Sequence, residues 1–121
     1  MAESVVTITV EKEEALSSTI LAVGTIAVAA GDYSTGGLPL TFVGKVKSAS
    51  ANNPHAVMIQ GKSGYLYEAD LENDKFIIRQ QLDPADGGGA DIPLTELAAA
   101  AAPAAVVADV IRFWALFKKF V

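Results

Sequence analysis

The chain begins with an alternation of hydrophobic and polar residues. Val6, Ile8 and Val10 are each followed by a polar side chain, which is the two-residue period of a strand with one buried face. The charged residues 12–14 follow directly and predict a turn, or the base of an N-terminal arm. We therefore expect a strand close to the N-terminus.

A second apolar stretch and a glycine-rich turn come next. Residues 19–29 are rich in β-branched side chains and include Gly24, so they predict a buried strand with a bulge at the glycine; a helix is the alternative. Residues 31–37 contain mostly turn formers and lead into a predicted strand over residues 38–47. Pro39 lies near the start of that strand, where a missing N–H is tolerated.

The middle of the chain has the pattern of short strands joined by turns. A polar loop at residues 48–54 precedes a predicted strand at residues 56–60. Residues 65–69 and 76–80 predict a strand–turn–strand unit, with its turn at Asn73 and Asp74.

The last third of the chain changes in composition. Residues 82–92 hold acidic residues and three consecutive glycines, a composition typical of a surface loop. Residues 95–102, with Thr95 as a cap and an alanine run behind it, predict a short helix that ends before Pro103. Residues 104–121 fit a long final strand, which we favour, and a helix about equally well.

Together these elements predict a mainly β, single-domain protein, either a β-sandwich or a barrel-like fold. It would carry the short alanine-rich helix near residues 95–102 and the C-terminal strand or helix. The expected organisation is an N-terminal strand or arm at residues 1–12 and one β-rich domain at residues 13–121. A chain of 121 residues is within the size range of one domain.

Composition adds an expectation about partners. The chain is 51% hydrophobic but only 19% charged, below the usual quarter. We therefore expect neighbouring subunits to cover part of the surface, because obligate interfaces resemble a protein core. A net charge of −5 argues against nucleic-acid binding, which depends on lysine and arginine.

Targeting and membrane signals are weak. Acidic residues occupy the start of the chain, where a signal peptide would be basic. Residues 19–30 are too few for the roughly 20 that span a bilayer, and the longer C-terminal stretch contains Pro103, Asp109 and Arg112. We expect a soluble protein with no membrane partner. Without cysteine the chain has no disulfide, no thiolate nucleophile and no cysteine-bound zinc.

No motif in the sequence predicts a cofactor, metal or catalytic site. His55 is the only histidine and stands in a polar loop without triad or metal partners nearby. The acidic residues at positions 70, 72 and 74 lack the glycine and the distal glutamate of a calcium loop. The glycines at positions 36–37 and 87–89 fit neither a P-loop nor a dinucleotide fingerprint. We expect a non-enzymatic protein.

The densest aromatic group lies near the C-terminus. Trp114 is accompanied by Phe113, Phe117 and Phe120. Core packing is the favoured interpretation, and a hot spot for a protein partner is the alternative.

Residues 31–40, Gly-Asp-Tyr-Ser-Thr-Gly-Gly-Leu-Pro-Leu, form the most distinctive segment. The segment resembles one found in the small decoration, or cement, proteins encoded beside the major capsid protein of tailed bacteriophages. The later order is also similar: Gly64-Tyr65, an acidic turn at residues 72–75, a glycine-rich acidic loop, and an apolar ending. The last residues, 118–121, depart from the small, glycine-containing ending of that family.

The resemblance implies a structural virion protein of the capsid surface. Such a protein would be assembled in the host cytoplasm, bind the major capsid protein on the assembled shell, frequently as a homotrimer, and stabilise the capsid without catalysis. The N-terminal strand would add to a sheet edge of the capsid protein. The residues predicted to bind the partner are Val5, Val6, Thr7, Ile8, Thr9, Val10, Tyr33 and Trp114.

Two other functions stay open on the sequence. One is a small carbohydrate- or protein-binding β-module, such as a tail-fibre or adhesin domain, with an exposed aromatic platform made of Tyr33, Tyr65, Tyr67 and Trp114. The other is an enzyme with a pair of carboxylates, but no spacing in the sequence predicts such a pair.

Overall fold

The computed structural model of the chain describes residues 2–42, 45–46, 54–80 and 94–118. These residues form a mainly β, sandwich-like single domain with two antiparallel sheets and one short helix. The strands and the helix are β1 (Val6–Ala15), β2 (Thr19–Val28), β3 (Leu38–Pro39), β4 (Ala56–Gln60), β5 (Leu66–Asp70), β6 (Lys75–Gln80), β7 (Thr95–Glu96), α1 (Ala104–Val107) and β8 (Ile111–Lys118).

The first sheet contains four strands in the order β1-β2-β8-β4, and all its pairs are antiparallel. β1 and β2 form a hairpin in which the Leu16 N–H donates to the Thr19 carbonyl, 2.8 Å away. The turn predicted at residues 12–14 is wrong, because β1 continues through these charged residues to Ala15. Their charges are tolerated since most of these side chains point away from the core.

Gly24 lies opposite an irregularity in β1. The register shifts between Val10 and Lys12, so Glu11 is an extra residue in β1. A Cβ atom at position 24 would fall 1.9 Å from the carbonyl oxygen of Thr9. The bulge predicted with this glycine is therefore present, but the extra residue lies in β1 and not in β2. The backbone of β1 can approach Gly24 closely because this residue has no side chain.

β8 settles the ambiguity at the C-terminus in favour of a strand from Ile111 to Lys118, whereas the first residues of the same predicted segment form α1. β8 lies between β2 and β4, and its side chains alternate between buried and largely exposed. Phe113, Ala115 and Phe117 face the core, whereas Arg112 and Trp114 point outward. A helix would place Phe113 and Trp114 only about 100° apart, whereas a strand separates them onto opposite faces.

The second sheet is smaller and has β6 at its centre. β5 pairs along one side of β6 and forms the strand–turn–strand unit predicted from the sequence. β3 and β7 pair with opposite ends of β6. The expected turn holds Asp74 at a φ of 56°, and an Asp is among the residues that adopt this left-handed conformation at least cost.

One hydrophobic core joins the inner faces of the two sheets. Phe42 packs edge-on against Phe113 and Phe117, with ring centres 5.8 and 5.4 Å apart. On the other side of the core, the ring of Tyr67 stacks on Phe76 at 5.4 Å. The core prediction is confirmed for Phe113 and Phe117 and is wrong for Trp114, which is 42% exposed on the opposite face, while Phe120 lies outside the described residues.

The short helix exists, but its predicted position is wrong. Thr95 and Glu96 form β7, and the alanines behind them pass beside the glycine-rich turn: the Tyr33 N–H donates to the Ala100 carbonyl at 2.8 Å. Pairing with other segments thus overrides the helix propensity of alanine. The helix α1 starts only after Pro103, which is its N-cap.

The strand predicted over residues 38–47 is much shorter. Of its described residues, 38–42 and 45–46, only Leu38 and Pro39 pair with β6, and the Lys45 N–H then donates to the Phe42 carbonyl in a turn. The turn at residues 31–37 and the strand at residues 56–60 agree with their predictions. The predicted loop at residues 82–92 lies outside the described residues, as does the predicted loop at 48–54 except for Pro54.

Candidate functional site

The outer face of the first sheet carries an apolar patch. Two rows of side chains cross β2, β8 and β4 there: Val23 beside Trp114 and Met58, and Leu21 beside Leu116 and Ala56. Met58 is 58% exposed and Trp114 is 42% exposed. We refer to these six residues as the outer patch.

The outer patch borders an open depression of about 760 Å³. Leu21, Val23, Met58 and Trp114 contribute its apolar walls, while Gln60 and Arg112 lie at its polar end. A volume of this order is within the range of small-molecule sites, but most such sites enclose their ligand. The depression is an exposed sheet face, which suits a flat partner surface better.

Charged residues along β1 and β8 border the outer patch. Arg112 Nη1 lies 3.3 Å from Glu11 Oε1, and Lys12 Nζ lies 3.8 Å from Glu14 Oε2. Exposed pairs of this kind contribute little stability. They do place positive and negative side chains beside the patch, and each of these cations lies close to a carboxylate.

β1 is one of the two edge strands of the first sheet, and β4 is the other. Within the described residues β1 pairs with β2 alone, so its other side presents backbone N–H and C=O groups to a partner. Charged residues and the bulge protect the half from Glu11 to Glu14, whereas the half from Val6 to Val10 has no charged residue. Just before it, Val5 is 63% exposed.

The predicted N-terminal arm residues are held within the domain. The Ser4 N–H donates to the Asp32 carbonyl at 3.0 Å, and the Asp32 N–H donates to the Ala2 carbonyl at 2.9 Å. Ile8 is 3% exposed and belongs to the core. Residues 6–10 can therefore present their free edge to a partner only while they remain part of the first sheet.

Tyr33, predicted as a partner-binding residue, is buried and fixes the glycine-rich turn. Its hydroxyl donates to Glu96 Oε2 at 2.7 Å and accepts the Ile78 N–H at 3.3 Å. The same carboxylate oxygen accepts the Gly36 N–H at 2.6 Å. Burial and the hydrogen bond to Glu96 raise the pKa of the Tyr33 hydroxyl above its ordinary value.

A second tyrosine–carboxylate pair holds the start of β8. The Asp109 carboxylate accepts hydrogen bonds from the Tyr67 hydroxyl at 2.7 Å, the Lys62 N–H at 2.8 Å and the Ser63 N–H at 3.2 Å. Burial raises the pKa of the Asp109 carboxyl, but these hydrogen bonds outweigh it and hold that pKa below its ordinary value. Burial and the bond to Asp109 raise the pKa of Tyr67. Both pairs connect parts of the backbone, which is a structural role.

The aromatic platform predicted for a carbohydrate-binding module is wrong for two of its four members. Tyr33 and Tyr67 are 1% and 7% exposed. Tyr65 is partly buried against the core, so Trp114 is the one platform residue whose side chain is prominently exposed.

His55 and the acidic hairpin turn are the remaining candidates for chemistry from the sequence. His55 is exposed, and Asp70 accepts hydrogen bonds from Asn73 within the hairpin turn. Over the described ranges, no three histidine, aspartate or glutamate side chains are grouped to hold a metal ion. No helix in that same part of the chain has the length and apolar character needed to cross a membrane.

Sequence reasoning found Trp114 but missed its neighbours. Met58, Val23 and Leu21 come from segments that are far apart in sequence, and only the strand order β2-β8-β4 brings them together. The signal that could have found them is the alternation in each strand, since apolar residues at outward positions of a strand are unusual where water covers the face.

No protein-family model, no curated protein and no solved structure matches the chain.

Proposed function

We propose that the chain is a structural virion protein that binds the outer surface of an assembled bacteriophage capsid and stabilises it. In this proposal the partner is the major capsid protein, and the chain acts as a homo-oligomer, with a trimer favoured. The proposal assigns no catalysis and no cofactor. Its starting point is the resemblance of residues 31–40 to capsid decoration proteins.

The observation that carries the proposal is the free edge of β1. The half of β1 from Val6 to Val10 carries no charged residue. On the side away from β2, no described strand pairs with its backbone groups. A strand of a partner protein can add to such an edge through main-chain hydrogen bonds. The charges and the bulge that follow, from Glu11 onward, limit this addition to the first half of β1.

The resembling segment, residues 31–40, includes a turn whose backbone shape depends on its glycines. Gly36 and Gly37 have φ angles of 95° and 109°, in the region that favours glycine. A Cβ at position 37 would lie 2.9 Å from the carbonyl oxygen of Phe76. The turn is thereby packed against β6, and the Glu96 carboxylate also holds it by accepting hydrogen bonds from the Gly36 N–H and the Tyr33 hydroxyl.

Stabilisation of the shell would follow from mass action. A protein that binds the assembled capsid, and not its dissociated subunits, stabilises the assembly by its binding free energy at each occupied site. The acidic chain, at net −5, would contribute through contact with the protein shell rather than with the enclosed DNA.

The test measures binding to capsids that lack the protein, prepared from the phage that encodes it. A Thr7→Lys/Thr9→Lys variant places two charges on the free edge strand, which disfavours strand addition. We expect capsid binding to weaken at least tenfold in a co-sedimentation titration. The matched control is Ala27→Lys, because Ala27 pairs with Thr7 and is exposed on the same face, but it lies one strand inward.

Deleting residues 1–12 is a poor test, because it removes Ile8 and the first half of β1 from the core. The proposal is wrong if the unmodified protein fails to bind these capsids. The edge-strand mechanism is wrong if the double-lysine variant binds as tightly as Ala27→Lys.

A further inference from the structure

We infer that copies of this chain pack against one another through the outer face of the first sheet, with Trp114 and Met58 as the most exposed side chains of the apolar contact. The occupant of the outer patch is thus a second copy of the chain. The inference names the contact surface of the homo-oligomer in the proposed function and in that respect rests on it.

The apolar character of the outer patch is the first argument. Its six residues form two adjacent rows on three neighbouring strands, with no charged side chain within the rows. Exposed tryptophan and methionine are enriched at protein interfaces. Met58 is more than half exposed, so a large apolar side chain on the β4 side of the patch stays in contact with water until a partner covers it.

The distribution of charge favours a second copy. Among the residues that the structure describes, the outer face carries three cations, Lys12, Arg112 and Lys118, and two carboxylates, Glu11 and Glu14. Its net charge is therefore +1, whereas the whole chain carries −5, which leaves −6 for the rest of the sequence. Two copies that meet through this face avoid the repulsion between their strongly acidic remaining surfaces.

The ion pairs at the border point the same way. Arg112 is paired with Glu11, and Lys12 with Glu14, within the chain itself. These cations are partly neutralised before any partner arrives, so the face is poorly suited to a phosphate-rich or strongly acidic ligand. A partner with a similar balanced border and an apolar centre matches it better, and a second copy has both.

The size of the face is adequate for such a contact. Four strands spaced by about 4.8 Å cover about 19 Å, and a strand of eight residues is about 27 Å long. The projected area is therefore roughly 500 Å², and the accessible area of a face covered with side chains is larger than its projection. A standard interface buries about 800 Å² per partner.

The experiment compares two substitutions at similarly exposed residues. Met58→Glu places a charge beside Trp114 on the β4 side of the outer patch, whereas Leu66→Glu places the same charge on β5 of the second sheet, where Leu66 is 52% exposed. Light scattering over a dilution series gives the mass of each protein. We expect a multiple of the 12.6 kDa chain mass for the unmodified protein and for Leu66→Glu.

For Met58→Glu we expect the dissociation constant of the oligomer to rise at least about 30-fold, the loss typical of an interface hot spot. Circular dichroism on both variants checks that each is folded, so that a lower mass reports a lost contact. Fluorescence provides a second reading, because Trp114 is the only tryptophan. Its emission should shift to longer wavelength on dilution, with the same midpoint as the mass.

Three results would overturn the inference. They are a monomeric unmodified protein at all concentrations, a Met58→Glu oligomer as stable as that of Leu66→Glu, and glycan-induced quenching of Trp114 in a monomer. Capsid binding is measured separately. An oligomer that does not bind capsids would refute the proposed function and leave the contact between copies standing. A monomer that binds capsids would refute the contact between copies and leave capsid binding standing.

Discussion

The hydroxyl of Tyr67 donates a hydrogen bond of 2.7 Å to the carboxylate of Asp109, and this bond ties the second sheet to the residues that lead into β8. Asp109 also accepts hydrogen bonds from the backbone N–H groups of Lys62 and Ser63, so this one carboxylate holds the turn between β4 and β5. Tyr33 and Glu96 form the corresponding pair at the glycine-rich turn. The two pairs lead to testable statements about stability and pH.

Asp109→Ala should destabilise the fold by about 1–3 kcal/mol, because it leaves the Tyr67 hydroxyl and two backbone N–H groups without their acceptor. Tyr67→Phe removes one of these bonds and should cost only about 1 kcal/mol. Urea denaturation of the three proteins at neutral pH provides the comparison. Equal stability of Asp109→Ala and the unmodified chain would show that water replaces the carboxylate without cost.

The same carboxylate should make the fold sensitive to acid. The pKa of Asp109 lies below its ordinary 3.8, so its contribution to stability is complete above that pH and is lost as the pH falls through the lower, folded-state pKa. The unmodified protein should therefore lose more stability than Asp109→Asn between about pH 5 and pH 2. Denaturation midpoints measured across this range test the sign; parallel pH profiles for the two proteins would contradict it.

Two tyrosines should resist ionisation in the folded protein. Burial and the carboxylate partners raise the pKa values of Tyr33 and Tyr67. The two hydroxyls therefore stabilise the fold fully below the ordinary pKa of 10, and this stabilisation is lost as the pH rises through the higher folded-state values. Absorbance titration should show at most one of the three tyrosines as tyrosinate at about pH 11. Ionisation of all three before unfolding would refute this reading of the two pairs.

Gly24→Ala should be strongly destabilising. The added Cβ would lie 1.9 Å from the carbonyl oxygen of Thr9, so β1 and β2 would have to separate at the bulge. Gly64→Ala is the control: its φ is 95°, but no atom lies within 4 Å of the added Cβ, so we expect only conformational strain of about 1–2 kcal/mol. Thermal unfolding should rank Gly24→Ala below Gly64→Ala, and the reverse order would contradict the close approach.

Substitutions of Phe117 and Trp114, two aromatic residues of β8, should differ in their effect on stability. Phe117 is fully buried and contacts Phe42, so Phe117→Ala should cost about 3–5 kcal/mol. Trp114 is on the opposite face and 42% exposed, so we expect Trp114→Ala to cost about 1 kcal/mol or less in the monomer. The comparison is made by denaturation at concentrations where the protein is monomeric. A larger loss for Trp114→Ala would place its side chain in the core.

Local pattern was sufficient for several elements of the fold. The alternation of β1, the β-branched residues of β2 and the turn between β5 and β6 all appear in the structure. These features can be recognised in the sequence because the side chains of a strand with one buried face repeat every two residues, and a tight turn needs residues that adopt particular backbone conformations. The resemblance to capsid proteins, by contrast, is a sequence observation that stays a prediction.

The predictions that failed concern segments whose partners are distant in sequence. The alanine run after Glu96 would favour a helix on its own, but its backbone pairs with residues 31–33 instead. Residues 12–14 continue β1 because an edge strand can direct charged side chains to water. Neither outcome can be read from a local window, since each depends on which surface the rest of the chain presents.

The sequence by itself determined the class of fold, the main strands and the presence of an aromatic group near the C-terminus. Only the tertiary structure decided that Phe113 and Phe117 enter the core while Trp114 faces outward beside Met58. It also decided that Tyr33 and Tyr67 are buried against carboxylates from distant segments. The reason is physical: strand periodicity assigns residues to alternate faces, but strand order and sheet packing determine which face is covered and which side chains meet there.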